Sequence, residues 1–341
     1  MTFKLSRGCT AGLMAAAAAL GAMTPAAAQD DTFYAGKTVT IIVGFSPGGG
    51  YDIYARTLAR YIGPHIPGKP TVIVQNMPGA GSLTSVRYLD ASAAKDGTII
   101  TAFNPGVITD SFTNPERIKV KFTEFGWLGS IMRDVRLCYS WHTSPIKSWD
   151  DLVKGGEFIM GATGTNTGNY VNGAVLRNLF GLKVRQITGF PGSNEMRLAI
   201  ERGELHGDCG SWSSVTPDWI KTKRVIPIVS FTTRRLPDMP ADLPYIGDFA
   251  KTEEQKQVLD IVIAAGELGR PYIVSKLVPA ARLAMLRAAF DKTMTDAGFL
   301  AEAKKQDLPV DPASAQEAEK ILTVIYSAPA QYVEKAKEVM K

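Results

Sequence analysis

The residues of this chain with the most chemical potential are turns rich in glycine and hydroxyl groups, not a set of catalytic side chains. The first is Gly44-Phe45-Ser46-Pro47-Gly48-Gly49-Gly50-Tyr51-Asp52. It follows an apolar, β-branched run, Val39-Thr40-Ile41-Ile42-Val43, and precedes Tyr51, Tyr54, Leu58 and Ile62 at helical spacing. Glycines let successive backbone N–H groups face one point, and the start of a helix adds partial positive charge. Such a turn suits an anion without containing Lys or Arg. Asp52 is placed to cap the helix, and Arg56, four residues on, to pair with it. Gly44 to Gly48 also matches G-x-S-x-G in a strand-to-helix context, the setting of a nucleophile elbow. There the residue after the serine supplies an oxyanion N–H, and here that residue is Pro47, which has none. A hydrolase would forgo a donor worth roughly 3 kcal/mol. A secreted serine hydrolase using Ser46 is therefore the lesser alternative.

Further turns repeat the pattern. Asn76-Met77-Pro78-Gly79-Ala80-Gly81-Ser82 joins another strand to a helix, with Ser82 as the expected N-cap. Asn104-Pro105-Gly106 ends a third strand. Later come Gly161-Ala162-Thr163-Gly164-Thr165-Asn166-Thr167-Gly168, Phe190-Pro191-Gly192-Ser193-Asn194 and Asp208-Cys209-Gly210-Ser211-Trp212-Ser213. Neither G-x-x-x-x-G-K-[ST] nor G-x-G-x-x-G occurs in these turns, so nucleotide phosphate binding lacks its markers. None of them carries Lys or Arg. Hydrogen bonds to a charged group contribute about 1.5–3 kcal/mol each, and micromolar binding needs about 8 kcal/mol net. Four or five neutral donors would then hold a carboxylate, and fixed cations are not expected. Trp212 is placed to wall the pocket, while His65, His142 and His206 are scattered and read as structural.

These turns need elements to hold them. Residues 39–43, 71–74 and 98–103 read as strands, with helices after the first two, so the first unit is β-α-β-α-β. A second α/β unit follows: strands at 158–160, 184–190, 205–208 and 225–231, with helices at 169–180, 194–202 and 217–221. Residues 279–307 and 313–340 read as two long amphipathic helices. Ligands of open parallel sheets sit beyond the C-terminal strand ends. That is where all of these turns fall.

The chain has 341 residues, and its formal charge of +5 demands no nucleic-acid partner. Lys4 and Arg7, an apolar stretch over 9–23 and Ala26-Ala27-Ala28 read as a signal peptide over residues 1–28. Cys138 and Cys209 remain beyond it, and their spacing leaves open a disulfide or two buried thiols. No metal or other cofactor is expected from three scattered His and these Cys.

The chain resembles the receptors of tripartite tricarboxylate transporters, the TctC or Bug family. The likeness rests on Tyr34-Ala35-Gly36-Lys37 before a strand, and on Pro47-Gly48-Gly49-Gly50-Tyr51-Asp52 with Ala55-Arg56. It continues in Asn76-Met77-Pro78-Gly79-Ala80-Gly81-Ser82 and Ala94-Lys95-Asp96-Gly97-Thr98. The resemblance implies a two-lobed periplasmic binding protein (type II, Venus-flytrap), each lobe a mainly parallel α/β sheet flanked by helices. Lobe 1 would comprise residues 29–130 and 237–341, and lobe 2 residues 131–236. It implies a periplasmic monomer, not an enzyme, that captures a small organic carboxylate (di-, tri- or aromatic) and delivers it to one large and one small membrane subunit. A ligand sensor serving a signalling partner is the further alternative. The site residues it implies are Phe45, Ser46, Gly49, Tyr51, Asp52, Ala80 and Gly81 in lobe 1, with Asn104 from the third turn. Lobe 2 would add Thr163, Gly164, Thr165, Asn166, Ser193, Asn194, Asp208 and Trp212. Phe190-Pro191-Gly192-Ser193-Asn194, Cys209, Ser211 and Trp212 depart from the family's usual residues at these turns.

Overall fold

Eleven short strands, most of them apolar runs, assemble into two separate sheets. In chain order they are β1 Thr38–Val43, β2 Thr71–Asn76, β3 Ile99–Ala102, β4 Gly126–Ser130, β5 Leu137–Trp141 and β6 Phe158–Ala162. β7 Val184–Thr188, β8 Gly207–Asp208, β9 Val225–Ser230, β10 Pro271–Val274 and β11 Ala313–Ser314 complete the set. The structure, a computed structural model, describes residues 32–341. The expected signal segment, with Lys4, Arg7 and Cys9, lies outside the described residues.

The first sheet has the order β11-β4-β10-β3-β1-β2 and the second β7-β6-β8-β5-β9. β1 pairs in parallel with β2 and β3, and β6 in parallel with β7 and β8. The remaining partners run antiparallel: β10 with β3 and β4, β11 with β4, and β5 with β8 and β9. Both sheets are therefore mixed, not mainly parallel. Strands that re-enter a lobe from its neighbour arrive in the reverse direction, and neither β4, β5 nor β10 carried a sequence signal strong enough to predict it.

β1 shows why the apolar run forms a strand: Val39, Ile41, Ile42 and Val43 are all buried, covered on both faces as parallel strands require. Val39, Ile41 and Val43 join Tyr54, Leu58, Ile62, Leu286, Phe290 and Phe299 in the core of the first lobe. Cys138, Phe158, Met160, Val175, Val229 and Val258 are among those that build the core of the second.

The two long C-terminal helices are each split. Asp296 interrupts the first, and its side chain accepts the Phe299 N–H to cap Ala297–Lys305. The second breaks at Ser327–Pro329 before Ala330–Val339. The lobes also divide differently from the expected boundary at 237. Helix Glu253–Ala264 and the terminal helix Ala330–Val339 pack on the core of the second lobe, through Val258, Leu259, Ala336 and Val339.

The chain crosses between lobes at Ile131–Arg136 and returns through Ala265–Arg270. These segments bind each other: Ile131 N–H to Arg270 O at 3.1 Å, Asp134 N–H to Gly266 O at 2.9 Å, and Gly269 N–H to Met132 O at 3.0 Å. Arg136 and Arg270 stand at the ends of these paired crossings, and the chain crosses once more at residues 327–329 to reach the terminal helix.

Cys138 and Cys209 form a disulfide. Tyr139 pairs with Asp208 in register, which brings the two sulfurs face to face across β5 and the end of β8. The bond closes a sequence separation of 71, a loop worth roughly 4 kcal/mol in the chain-entropy picture. Reduction, or Cys138→Ala with Cys209→Ala, is expected to lower stability to denaturant by about 2–4 kcal/mol. Superimposable urea curves for oxidised and reduced protein would contradict this.

Candidate functional site

A cavity of about 50 Å³ lies where the strand-end turns of the two lobes meet. From the first lobe it is lined by Phe45, Gly49, Gly50, Tyr51 and Asn104; from the second by Thr163, Asn169, Ser193, Met196, Asp208, Gly210, Ser211 and Ser214. Arg136 forms part of its wall. Seven expected residues are thus brought together: Phe45, Gly49, Tyr51, Asn104, Thr163, Ser193 and Asp208. Phe45 and Tyr51 stack, with ring centroids 4.8 Å apart. The Tyr51 hydroxyl is buried and, among the described residues, has no hydrogen-bond partner.

Several other expected residues hold the lobes against each other instead. Ser46 donates through Oγ to Glu195 Oε2 at 2.8 Å and through N–H to Pro191 O at 3.1 Å. Asn166 Nδ2 donates to Ala80 O at 3.1 Å. Gly81 has φ +58°, and a Cβ there would stand 2.1 Å from Asn166 Oδ1. Any other residue at Gly81 would therefore be strained and would also force the lobes apart. Gly164 packs on Gly81, and Thr165 and Asn166 line a separate cavity nearer the C-terminus. Asn194 accepts from Arg197 Nη2, which also bonds Gly48 O at 3.0 Å.

Asp52 does not line the cavity. Its Oδ2 accepts from Gly48 N–H at 2.9 Å and from Arg56 Nε at 2.9 Å, and its Oδ1 from Asn76 Nδ2 at 2.8 Å. Burial works to raise the Asp52 carboxyl, but these bonds outweigh it and hold it below the ordinary carboxylate range. Asp52 thus fixes the first turn from behind. Gly49, not Asp52, occupies the N-cap position, without a side-chain capping bond. Ser82 takes a left-handed φ of 75° and makes no cap either; its Oγ accepts the Asn104 N–H at 2.9 Å. Trp212 is buried behind the cavity, donates to Asp238 at 3.0 Å, and lines a larger, mainly apolar cavity of about 470 Å³ with Ile53, Ile220, Leu236 and Leu308.

Ser46 has no histidine among its described partners. His65 bonds Asp296, His206 bonds the Glu157 and Ile159 backbone, and His142 lies against Trp141. The hydrolase alternative needs a histidine beside Ser46; the hydroxyl is bonded to the Glu195 carboxylate instead.

The expectation that fixed cations are absent is overturned. Arg136 and Arg270 enter from the crossing segments. The Arg270 side chain is fully buried, 4.4 Å from the Tyr51 ring and 5.1 Å from the Tyr54 ring. Its Nη2 donates to Ser211, Ser213 and Ser214 Oγ at 3.0, 2.7 and 3.0 Å, joining the lobes. Ser211 Oγ donates to Asp134 Oδ1 at 2.5 Å, and Asp134 Oδ2 lies 3.0 Å from Arg136 Nε. Arg136 thus pairs with Asp134 directly, and Arg270 reaches the same carboxylate only through the Ser211 hydroxyl. The turns did not reveal them because both lie on the crossing segments. The one signal was Arg133, Asp134 and Arg136 standing within an otherwise uncharged stretch, Trp127 to Trp141.

Asp208 is the other charge. Burial pushes its carboxyl up to about 6, against the Cys209 N–H bond, an Asn169 bond and the Arg136 charge, which pull it down. Among the described residues no cluster of His, Cys, Asp or Glu is suited to a metal, and no helix is long and apolar enough to cross a membrane.

With this geometry in place, comparison with known proteins locates the fold. A structure described as the periplasmic binding protein BugD superimposes with a TM-score of 0.72 at 19% identity, over 89% of this chain and 97% of that one. MatC from Rhodopseudomonas palustris, solved with malate, gives 0.69 at 17% identity, over 89% and 99% of the two chains. A second protein from R. palustris, solved with adipate, gives 0.69 at 17%, over 89% and 97%. A TctC solute-binding protein from Polaromonas gives 0.58 at 18%, over 89% and 98%. The chain thus has the fold of the periplasmic binding proteins, and its resemblance to the TctC and Bug receptors is borne out at that level.

A Cupriavidus necator protein, "UPF0065 protein in gbd 5'region", is 38% identical over 96 residues, 28% of this chain and 28% of its own length. The matched stretch thus spans little more than a quarter of that relative. A family model described as BTB/POZ domain matches residues 249–341. In this fold those residues form no separate unit, since β10 lies inside the first sheet while helix Glu253–Ala264 packs on the second lobe.

Because folding raises the Asp208 carboxyl from 3.8 to about 6, the folded state holds a proton that the unfolded chain releases. Stability from this group is present at low pH and lost as pH rises from about 4 to 6. Asp208→Asn is expected to remove that dependence and to raise stability at pH 7.5 by about 1–3 kcal/mol. Urea unfolding of both proteins at pH 4.5 and 7.5 checks it; a variant weaker than wild type at pH 7.5 would contradict it.

Proposed function

We propose that this chain is a periplasmic receptor that captures a small organic carboxylate between its lobes and passes it to the large and small membrane subunits of a tripartite tricarboxylate-type transporter. The observation that carries this reading is the wall of the cleft, where Arg136, paired with Asp134, meets a cavity lined by hydroxyl and amide donors. The relatives solved with malate and adipate lend support by analogy of fold. The binding set is Phe45, Gly49, Tyr51, Asn104, Thr163, Ser193 and Asp208, now joined by Arg136. Ser46, Ala80, Gly81 and Asn166 close the cleft over the ligand, and Asp52 shapes its first wall. The receptor acts as a monomer, exported by the signal segment at its N-terminus.

Hinged receptors couple capture to closure. The purified mature protein is expected to bind at least one of malate, adipate, citrate and benzoate with one-to-one stoichiometry in the micromolar range, about 8 kcal/mol. Its radius of gyration should fall on saturation. Calorimetry with paired small-angle scattering reads both. No binding heat with any acid, or identical scattering curves with and without a binding acid, would contradict the reading.

A further inference from the structure

The charges around the cavity do more than attract an anion. Arg136 leans across the start of helix Gly168–Asn178, where its Nη1 lies 1.1 Å from the position a Cβ on residue 168 would occupy. Only glycine leaves that seat open. Asp134 Oδ2 holds the guanidinium from behind at Nε, 3.0 Å away. The Arg136 side chain is 12% exposed. Among the described residues, neither of its terminal amino nitrogens has a hydrogen-bond partner. A guanidinium this buried normally has its donors satisfied. Arg136 stands between two cavities, lining the interlobe one with Asp208 and, on its other side, one lined by Gly168 and Val262.

Asp208 belongs to the same wall. Cys209 N–H takes its Oδ1 at 2.8 Å. Gly210 adds no side chain beside Oδ2: a Cβ there would stand 2.6 Å from it. Asp208 is an acceptor as long as it is ionised. Counting the buried charges, Arg136 and Arg270 are matched by Asp134 and Asp208. A ligand with no net charge but separated ends keeps that balance. A second carboxylate placed at Asp208 would face a buried like charge.

We propose that Arg136 and Asp208 are the specificity-determining pair of this cleft, reading opposite charges on one short zwitterionic acid: its carboxylate at the Arg136 amino nitrogens, its ammonium group at Asp208. The inference rests on the carboxylate-receptor reading and narrows it. The other polar side chains lining the cavity are Tyr51, Asn104, Thr163, Asn169, Ser193, Ser211 and Ser214, all neutral, so no other charged side chain lining it competes for either end.

The test is calorimetry of the purified mature protein at pH 7.5 with matched pairs that differ by an ammonium group: propionate with β-alanine, butyrate with 4-aminobutyrate, succinate with aspartate. At least one ammonium-bearing acid should bind tenfold or more tighter than its partner. Asp208→Asn, which keeps the bond from Cys209 N–H, should reduce that preference below threefold. Arg136→Gln should weaken both members of the pair at least tenfold. Gly168→Ala, which removes no charge but takes the guanidinium's seat, should do the same, with thermal melts reporting that each variant is folded. Plain acids that bind as well as their amino partners, or a preference unchanged in Asp208→Asn, would overturn the pairing while leaving a carboxylate receptor. No binding by any acid of either kind would remove the receptor reading and the pairing together.

Discussion

The arrangement of this molecule depends on one buried chain of charge and hydrogen bonds: Arg270 to Ser211, Ser211 to Asp134, Asp134 to Arg136. A guanidinium taken out of water costs several kcal/mol unless its donors are met. Arg270 offsets much of that cost by using both lobes at once: the Tyr51 and Tyr54 rings of the first, and the hydroxyls of Ser211, Ser213 and Ser214 of the second, with only Nε left unpartnered. Arg136 is met on one edge only. The same chain that joins the lobes therefore leaves donors unmet on both cations, Nε of Arg270 and the amino nitrogens of Arg136, and Arg136 is the one that lines the cavity.

Other contacts between the lobes are both polar and apolar: Phe112 packs against the core of each, and Lys221 pairs with Asp307. Ser46 with Glu195 and Pro191, Asn166 with Ala80, and Arg197 with Gly48 are single hydrogen bonds near the solvent edge. Each contributes about 1 kcal/mol net. Their sum is small beside the cores of the lobes, which are built from separate apolar clusters. The bond between Cys138 and Cys209 ties the second lobe's β5 to the end of β8.

Much of this was legible in the sequence, and for identifiable reasons. Apolar β-branched runs such as Val39 to Val43 and Phe158 to Met160 announced the strands that are covered on both faces. The turns after them announced the cleft, because a glycine-rich turn between strand and helix has few other uses at that density. Phe45, Tyr51, Asn104, Thr163, Ser193 and Asp208 all came to one cavity on that logic. What stayed hidden was long-range. β4, β5 and β10 are short, and their pairings are antiparallel returns between lobes, which local periodicity does not encode. Asp52 kept its Arg56 pairing but turned its carboxylate toward the loop backbone, away from the cavity. Arg136 and Arg270 escaped notice because the search for cations was confined to the turns. The Cys pairing depended on a strand register, Tyr139 opposite Asp208, that no spacing reveals.

The most direct test of the central claim is a crystal structure of the mature protein with a bound acid identified by calorimetry. The account predicts an ordered ligand between Tyr51, Arg136 and Asp208, with a carboxylate within hydrogen-bond distance of the Arg136 amino nitrogens. Ligand density in the larger cavity beside Trp212 and Leu308, with the Arg136 edge untouched, would contradict it.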